Sequence, residues 1–122
     1  MKDRQELARE GEELATRYLV DAGWTILERN FRYGRGGEID IIARDADCTV
    51  FVEVKTRQSR SCGPPELAVT ASKRRQIIRL ARGWQWLHGK HELFCRFDVI
   101  AVTIIRGKPE IHHIAHAFTA TS

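Results

Sequence analysis

Apolar and other residues alternate between positions 37 and 55, in the stretch GEIDIIARDADCTVFVEVK. Side chains two residues apart lie on the same face of a strand, so this alternation predicts two half-buried strands joined by a turn. The polar segment from Asp45 to Cys48 is the expected turn. A two-residue loop and a four-residue loop there give the same antiparallel register, in which Ile41 lies opposite Val52.

This register separates the apolar positions of the hairpin from the charged ones. One face would hold Ile39 opposite Val54 and Ile41 opposite Val52, so it could pack on a core. A shift of one residue would turn one strand over and mix the two faces. The hydrophobic pattern therefore specifies the pairing.

The charged residues gather on the other face, where Asp40 would meet Glu53 and Glu38 would meet Lys55. Directly opposed carboxylates repel each other and cost stability. One interpretation is a solvated sheet face on which Glu38 and Lys55 form a surface ion pair. The other is a divalent cation between Asp40 and Glu53 with Lys55 beside it, because oxygen ligands of this kind suit Mg²⁺ or Mn²⁺.

Residues 3–21 have the apolar spacing of an amphipathic helix. Its apolar stripe contains Leu7, Gly11, Leu14, Ala15, Tyr18 and Ala22. Gly23 is expected to cap the end of this helix. Glu12 lies at the border of the stripe, where it could lean over the packed face or simply be an ordinary boundary glutamate.

The remaining pattern predicts a strand, a helix and two further strands. These are a strand over 24–32, a helix from the cap Ser72 to about His88, a strand over 94–105 and a strand over 110–118. The segment from Gly107 to Pro109 is the expected turn between the last two strands.

Length and composition exclude several classes of protein. A chain of 122 residues is expected to form one domain, residues 1–122, with a substantial core. No apolar run approaches the roughly 20 residues of a membrane span, and the charged start MKDRQELAREGEE lacks the apolar core of a signal peptide. We therefore expect a cytoplasmic protein without membrane contact. Three cysteines without a CxxC spacing favour neither a disulfide framework nor a thiolate zinc site.

The net charge of +4 is modest, but basic residues concentrate in the middle of the chain. They are Arg57, Arg60, Lys73, Arg74, Arg75, Arg79 and Arg82. A phosphate-facing surface and a solvated helix face both account for this clustering.

The sequence resembles the PD-(D/E)xK nuclease superfamily in three features. They are Asp40, the later run EVK at residues 53–55 and a preceding helix that carries Glu12. A closer resemblance is to the YraN-like family of proposed bacterial endonucleases. The runs that carry it are GEELATRYLVDAGW, GEIDIIA, VFVEVKTR, KRRQI and RFDVIAV. That family is regarded as distantly related to archaeal Holliday junction resolvases. The likeness extends from about residue 8 to residue 103.

The resemblance implies an α/β, restriction-endonuclease-like fold, with a mixed central β-sheet flanked by α-helices. It also implies an endonuclease that hydrolyses phosphodiester bonds in DNA, branched or otherwise structured, with Mg²⁺ as cofactor and Mn²⁺ as a substitute. By motif, Asp40 and Glu53 would be the metal carboxylates and the Val54 carbonyl a further ligand. Lys55 would be the motif lysine, and Glu12 would approach the same site.

The expected phosphate contacts are Arg35 in the loop YGRGG, Arg57, Arg60, Lys73 and Arg74. Such contacts hold a nucleic-acid backbone without reading its sequence. Junction resolvases cut two strands symmetrically, so a homodimer is also expected. The main alternative is a nucleic-acid-binding protein that keeps the nuclease fold but cleaves little or not at all. A purely structural interaction module is a third possibility, and it would show no salt-dependent affinity for nucleic acid.

Overall fold

The computed structural model describes residues 2–65, 69–89 and 95–120 as two long helices, five strands and a short 3₁₀ helix. In chain order these are α1 (Arg4–Asp21), β1 (Thr25–Phe31), β2 (Ile39–Asp45), β3 (Cys48–Arg57), the 3₁₀ helix (Arg60–Cys62), α2 (Ala71–Leu87), β4 (Cys95–Ile105) and β5 (Lys108–Phe118). Neither long helix is apolar enough to cross a membrane.

The five strands form one mixed sheet in the order β1-β2-β3-β4-β5. Only β3 and β4 run parallel, and α2 lies between them in the chain, because parallel neighbours require a long crossover connection. The other neighbouring strands are antiparallel. The predicted α/β class with a mixed central sheet is confirmed, and the architecture is consistent with a restriction-endonuclease-like fold.

The two helices cover opposite faces of this sheet. Ala15 and Leu19 of α1 pack in one apolar cluster with Val52, whereas Leu80 of α2 packs in the other with Phe51. Since neighbouring residues of a strand point to opposite faces, the two clusters lie on opposite sides of β3. The core therefore has two layers, with the sheet between them.

The predicted hairpin register is confirmed over most of its length. Ile41 pairs with Val52, and a two-residue loop joins Asp45 to Cys48. Within the described residues, the pairing of β2 with β3 ends at Ile41 and Val52. The two strands are not paired beyond this point, which is where the charged residues begin.

The prediction that Ile39 shares the face of Ile41 is wrong. Ile39 packs in the α2-side cluster with Phe51, whereas Ile41 packs in the α1-side cluster. The alternation breaks at Asp40, where the regular ladder is interrupted because the Asp40 carboxylate accepts the main-chain N–H of Val54.

Several predicted boundaries shift by one or two residues. The N-cap of α2 is Thr70 rather than Ser72, because Thr70 Oγ1 accepts the Lys73 N–H. The last turn consists of Arg106 and Gly107, both with positive φ, so Lys108 already belongs to β5. The predicted start of β4 at position 94 lies outside the described residues.

Candidate active site

The candidate residues meet where β2 begins, β3 ends and α1 crosses the sheet. A close approach of α1 to β3 makes this possible at Gly11. A Cβ atom at Gly11 would lie 1.8 Å from Thr56 Oγ1, so only glycine allows the helix to lie at this depth. The next residue, Glu12, is consequently held beside the end of β3.

Asp40 is the second residue of β2 and is 8% exposed. Its Oδ2 accepts the Val54 N–H at 2.8 Å, and its side chain also hydrogen-bonds to Glu53. Burial and the neighbouring charge of Glu53 raise the pKa of Asp40 to about 8, with a smaller contribution from Glu12 and despite the Val54 hydrogen bond. The site therefore favours the protonated form of this carboxyl group when no cation is bound.

Glu53 is the second buried carboxyl group of the site, at 5% exposure. Burial raises its pKa, although the positive charges of Lys73 and Lys55 oppose that effect. Lys73 Nζ lies 3.9 Å from Glu53 Oε2. Among the described residues, Glu53 Oε1 has no hydrogen-bond partner, which is costly for a buried oxygen.

Asp98, another buried carboxylate in the same sheet, has a different environment. Asp98 is fully buried, and Arg96 donates two hydrogen bonds to it, at 3.0 and 3.1 Å. His113 Nε2 and the His116 N–H lie 2.7 and 3.1 Å from its two oxygens. Burial opposes the charge of Asp98, but these hydrogen bonds outweigh it and hold its pKa below the ordinary value.

Two further glutamates complete the acidic group. Ligand oxygens of Glu12, Glu38 and Asp40 all lie within 4.8 Å of one another, close enough to bind one metal ion. The ion pair of Glu38 with Lys55, part of the solvated-face interpretation, is absent among the described residues, where Glu38 pairs with Arg32 at 3.3 Å instead. The paired part of the β2–β3 hairpin ends before Glu38 and Lys55 could meet.

Asn30 holds two of these glutamates, a contact that sequence reasoning missed. Its φ of 53° is left-handed, within a strand whose adjacent residues Arg29 and Phe31 remain paired with β2. The Asn30 amide donates to Glu12 Oε1 at 2.9 Å and more weakly to Glu38 Oε1 at 3.4 Å. Asparagine tolerates this conformation better than most residues. An asparagine shortly before the loop YGRGG was the only sequence signal for this contact.

Two clefts flank Glu12. One of about 280 Å³ is lined by Arg4, Val54 and Lys55 together with Glu12. The other, of about 450 Å³, is lined by residues that include Arg9, Asn30, Arg32 and Glu38. Lys55 therefore lies beside Glu12, as the resemblance implied, whereas the arginines of α1 were not among the predicted contacts.

The predicted phosphate contacts Arg57 and Arg60 make hydrogen bonds within the chain. Arg57 Nε donates to Thr103 Oγ1 at 3.0 Å, and its Nη1 donates to the Gly63 carbonyl at 2.6 Å. Arg60 forms an ion pair with Glu110. These two arginines link the segment after β3 to β4 and β5.

The other predicted contacts are dispersed. Arg74 Nε donates to the Val69 carbonyl at 3.2 Å, and its guanidinium lies 5.8 Å from the ring centre of Phe118. Arg35 is exposed in the loop before β2, where its carbonyl accepts a long hydrogen bond from Arg79. Of the five predicted contacts, Lys73 is the one that directly approaches a candidate metal carboxylate.

Comparison with known proteins assigns the chain to a family. The model described as "Uncharacterised protein family UPF0102" matches residues 11–102. The chain belongs to the UPF0102 family. The matched segment contains Glu12, Asp40, Glu53 and Lys55. This assignment confirms the YraN-like resemblance.

The curated UPF0102 relatives match nearly the whole chain. A UPF0102 protein of Geobacter metallireducens is 52% identical over 112 residues, which cover 92% of this chain and 91% of the relative. A relative from Trichlorobacter lovleyi is 50% identical over a segment that covers 96% of this chain and 93% of the relative. A relative from Rhodococcus jostii is 49% identical over a segment that covers 92% of this chain and 95% of the relative. The names of these relatives give the family alone.

Proposed function

We propose that this UPF0102 protein is a metal-dependent endonuclease that hydrolyses phosphodiester bonds in structured or branched DNA. The observation that carries the proposal is the buried pair of Asp40 and Glu53, in which Glu53 Oε1 has no partner among the described residues. Two opposed buried acids with an unsatisfied oxygen are expensive in a purely structural role. A bound cation would offset the repulsion between the two acids and give the unsatisfied oxygen a partner.

The residues present fit a hard divalent cation. Mg²⁺ takes oxygen ligands and is commonly held by one or two carboxylates, with water and substrate phosphate at its other positions. Asp40 and Glu53 would supply the carboxylates. The N–H and C=O of one strand residue point toward the same neighbouring strand, so the Val54 carbonyl should point toward β2 as its N–H does. That orientation supports Val54 as a third ligand.

The remaining site residues would act directly on the reacting groups. Mg²⁺, when bound, supplies polarisation of the phosphoryl oxygen and offsets the charge that develops there. Lys55 would orient the attacking water and stabilise its deprotonated form. Glu12 would hold a second water or a second metal ion together with Glu38, given their close oxygens. Lys73 would favour the ionised form of Glu53, since its charge opposes the effect of burial on the pKa of Glu53.

Metal titration tests the proposal without relying on cleavage. We expect saturable Mn²⁺ and Mg²⁺ binding by calorimetry for the wild type, with and without a nonhydrolysable branched duplex. Asp40→Asn and Glu53→Gln should lose this binding. Asp47→Asn, in the exposed turn of the same hairpin, is the matched control and should bind as the wild type does. Absence of binding in both states would rule out the metal-dependent reaction.

Cleavage assays then separate the enzyme from the alternative, a nucleic-acid-binding protein with a nuclease-like fold. The enzyme should cut a four-way junction or another structured DNA with Mg²⁺, and Asp40→Asn should bind that DNA without cutting it. A wild type that binds metal and DNA but never cuts would favour the binding protein. Symmetric cleavage of two strands would further require a homodimer, which sedimentation in the presence of the junction would detect.

A further inference from the structure

The two clefts beside Glu12 share lining residues on α1. Ala8 and Glu12 lie one helical turn apart, and both line both clefts. Arg4 lines one cleft, and Arg9 lines the other together with Arg32. Cationic side chains therefore lie on each side of Glu12.

The charges of these α1 arginines are available to a ligand. Arg4 and Arg9 are exposed, and neither makes a side-chain hydrogen bond or ion pair within the described part of the chain. Arg32 and Arg60, by contrast, are already paired with Glu38 and Glu110. A guanidinium that is paired with a carboxylate offers less net charge to a phosphate group than an unpaired one.

We propose that the two clefts bind the DNA phosphates on either side of the scissile one, with Arg4 in one cleft and Arg9 in the other. This inference rests on the proposed function, because it takes the scissile phosphate to lie beside Glu12. Arg4 and Arg9 are five residues apart, about 140° around the axis of α1, so their side chains diverge toward different clefts.

The salt dependence of DNA binding tests this assignment. Fluorescence anisotropy would follow a labelled duplex and a labelled four-way junction in EDTA, across a series of NaCl concentrations, for the wild type, Arg4→Gln and Arg9→Gln. Each variant should bind more weakly, and the slope of log affinity against log salt should become shallower by about 0.9 for each phosphate that the variant no longer neutralises. Arg17→Gln, an exposed arginine of the same helix that lines neither cleft, should retain the wild-type slope.

Two more variants test charge and position. Arg4→Lys keeps the charge and should retain the wild-type slope, whereas Ala8→Glu places a carboxylate between the clefts and should weaken binding more than either arginine variant. Thermal unfolding would confirm that each variant is folded. If the wild type binds DNA in a salt-dependent manner and both Arg→Gln variants match it, the cleft assignment is wrong and the proposed function stands. If the wild type binds no DNA, both fail.

Discussion

The main-chain N–H of Val54 donates to Asp40 Oδ2 across 2.8 Å at the point where the β2–β3 ladder has ended. Asp40 thus replaces a main-chain acceptor and is held facing Glu53. Only one such N–H reaches Asp40 in the described residues, whereas Asp98 receives hydrogen bonds from Arg96, His113 and His116. The pKa values of the two aspartates consequently shift in opposite directions.

The pH dependence of stability should reveal the raised pKa of Asp40. Its pKa rises from 3.8 to about 8 on folding, so the native state favours the protonated form. The associated stabilisation is complete below about pH 4 and is lost as the pH rises toward about 8, with a slope of at most about 1.4 kcal/mol per pH unit. Asp40→Asn, which mimics the protonated acid, should remove most of this slope in urea unfolding with EDTA.

The control for that measurement is Asp47→Asn, which should follow the wild type. Added Mg²⁺ should stabilise the wild type increasingly as the pH rises, because proton and metal compete for the same carboxylates. Parallel stability curves for the wild type and Asp40→Asn between pH 5 and pH 8 would contradict the raised pKa.

Gly11→Ala tests the close approach of α1 to β3. Alanine normally stabilises a helix interior relative to glycine by roughly 0.5–1 kcal/mol. Here its methyl group would overlap Thr56, with Thr56 Cβ at 2.8 Å as well as Oγ1 at 1.8 Å, so we expect a loss of about 1–3 kcal/mol instead. Chemical unfolding of Gly11→Ala, Thr56→Gly and the double variant would measure the coupling. The double variant should recover part of the loss, whereas a more stable Gly11→Ala would refute the contact.

Much of the site geometry follows from local sequence pattern. Period-two alternation specified the pairing of Ile41 with Val52, and that register brought Asp40 near Glu53. The reach of Lys73 to Glu53 could not be predicted in the same way, because it depends on how α2 crosses the sheet. Helical periodicity identifies a buried face but does not fix that crossing.

The irregular positions could not be predicted from the hydrophobic pattern of the sequence either. A strand period assumes an unbroken ladder, so it placed Ile39 on the wrong face and paired Glu38 with Lys55. The left-handed φ of Asn30 turns its side chain toward α1, a choice that no average propensity specifies. Departures of this kind concentrate at functional sites, where local strain is offset by the surrounding structure.

Asp98→Asn should affect folding and leave the metal site intact. Loss of this buried charge would leave the half-buried guanidinium of Arg96 without its main partner, at a cost of about 3–5 kcal/mol. The lowered pKa means that the stabilisation from Asp98 is present above about pH 4 and is lost as the pH falls through the lowered value. Urea unfolding at neutral and acidic pH would show the wild type and the variant converging in acid. A changed Mn²⁺ affinity in the folded variant would contradict a purely structural role.

Asn30 offers a sharper test of the acidic group, because one variant can remove its side-chain hydrogen bonds alone and another can also disfavour its left-handed backbone. Asn30→Gly keeps the freedom to adopt a φ of 53° but removes the hydrogen bonds to Glu12 and Glu38. Asn30→Ala removes the same hydrogen bonds and adds roughly 1–2 kcal/mol of backbone strain.

If Glu12 and Glu38 bind a second metal ion and Asn30 positions them, both variants should bind that Mn²⁺ ion about 10–100-fold more weakly than the wild type, as is typical when a partner of a metal ligand is removed. Only Asn30→Ala should also lose substantial stability, because only alanine disfavours the left-handed backbone. Calorimetric titration at a fixed pH, paired with urea unfolding of the same samples, separates the two effects. Unchanged Mn²⁺ affinity in a folded Asn30→Gly would mean that Glu12 and Glu38 reach their positions without the amide, and that Asn30 serves only the bend in β1.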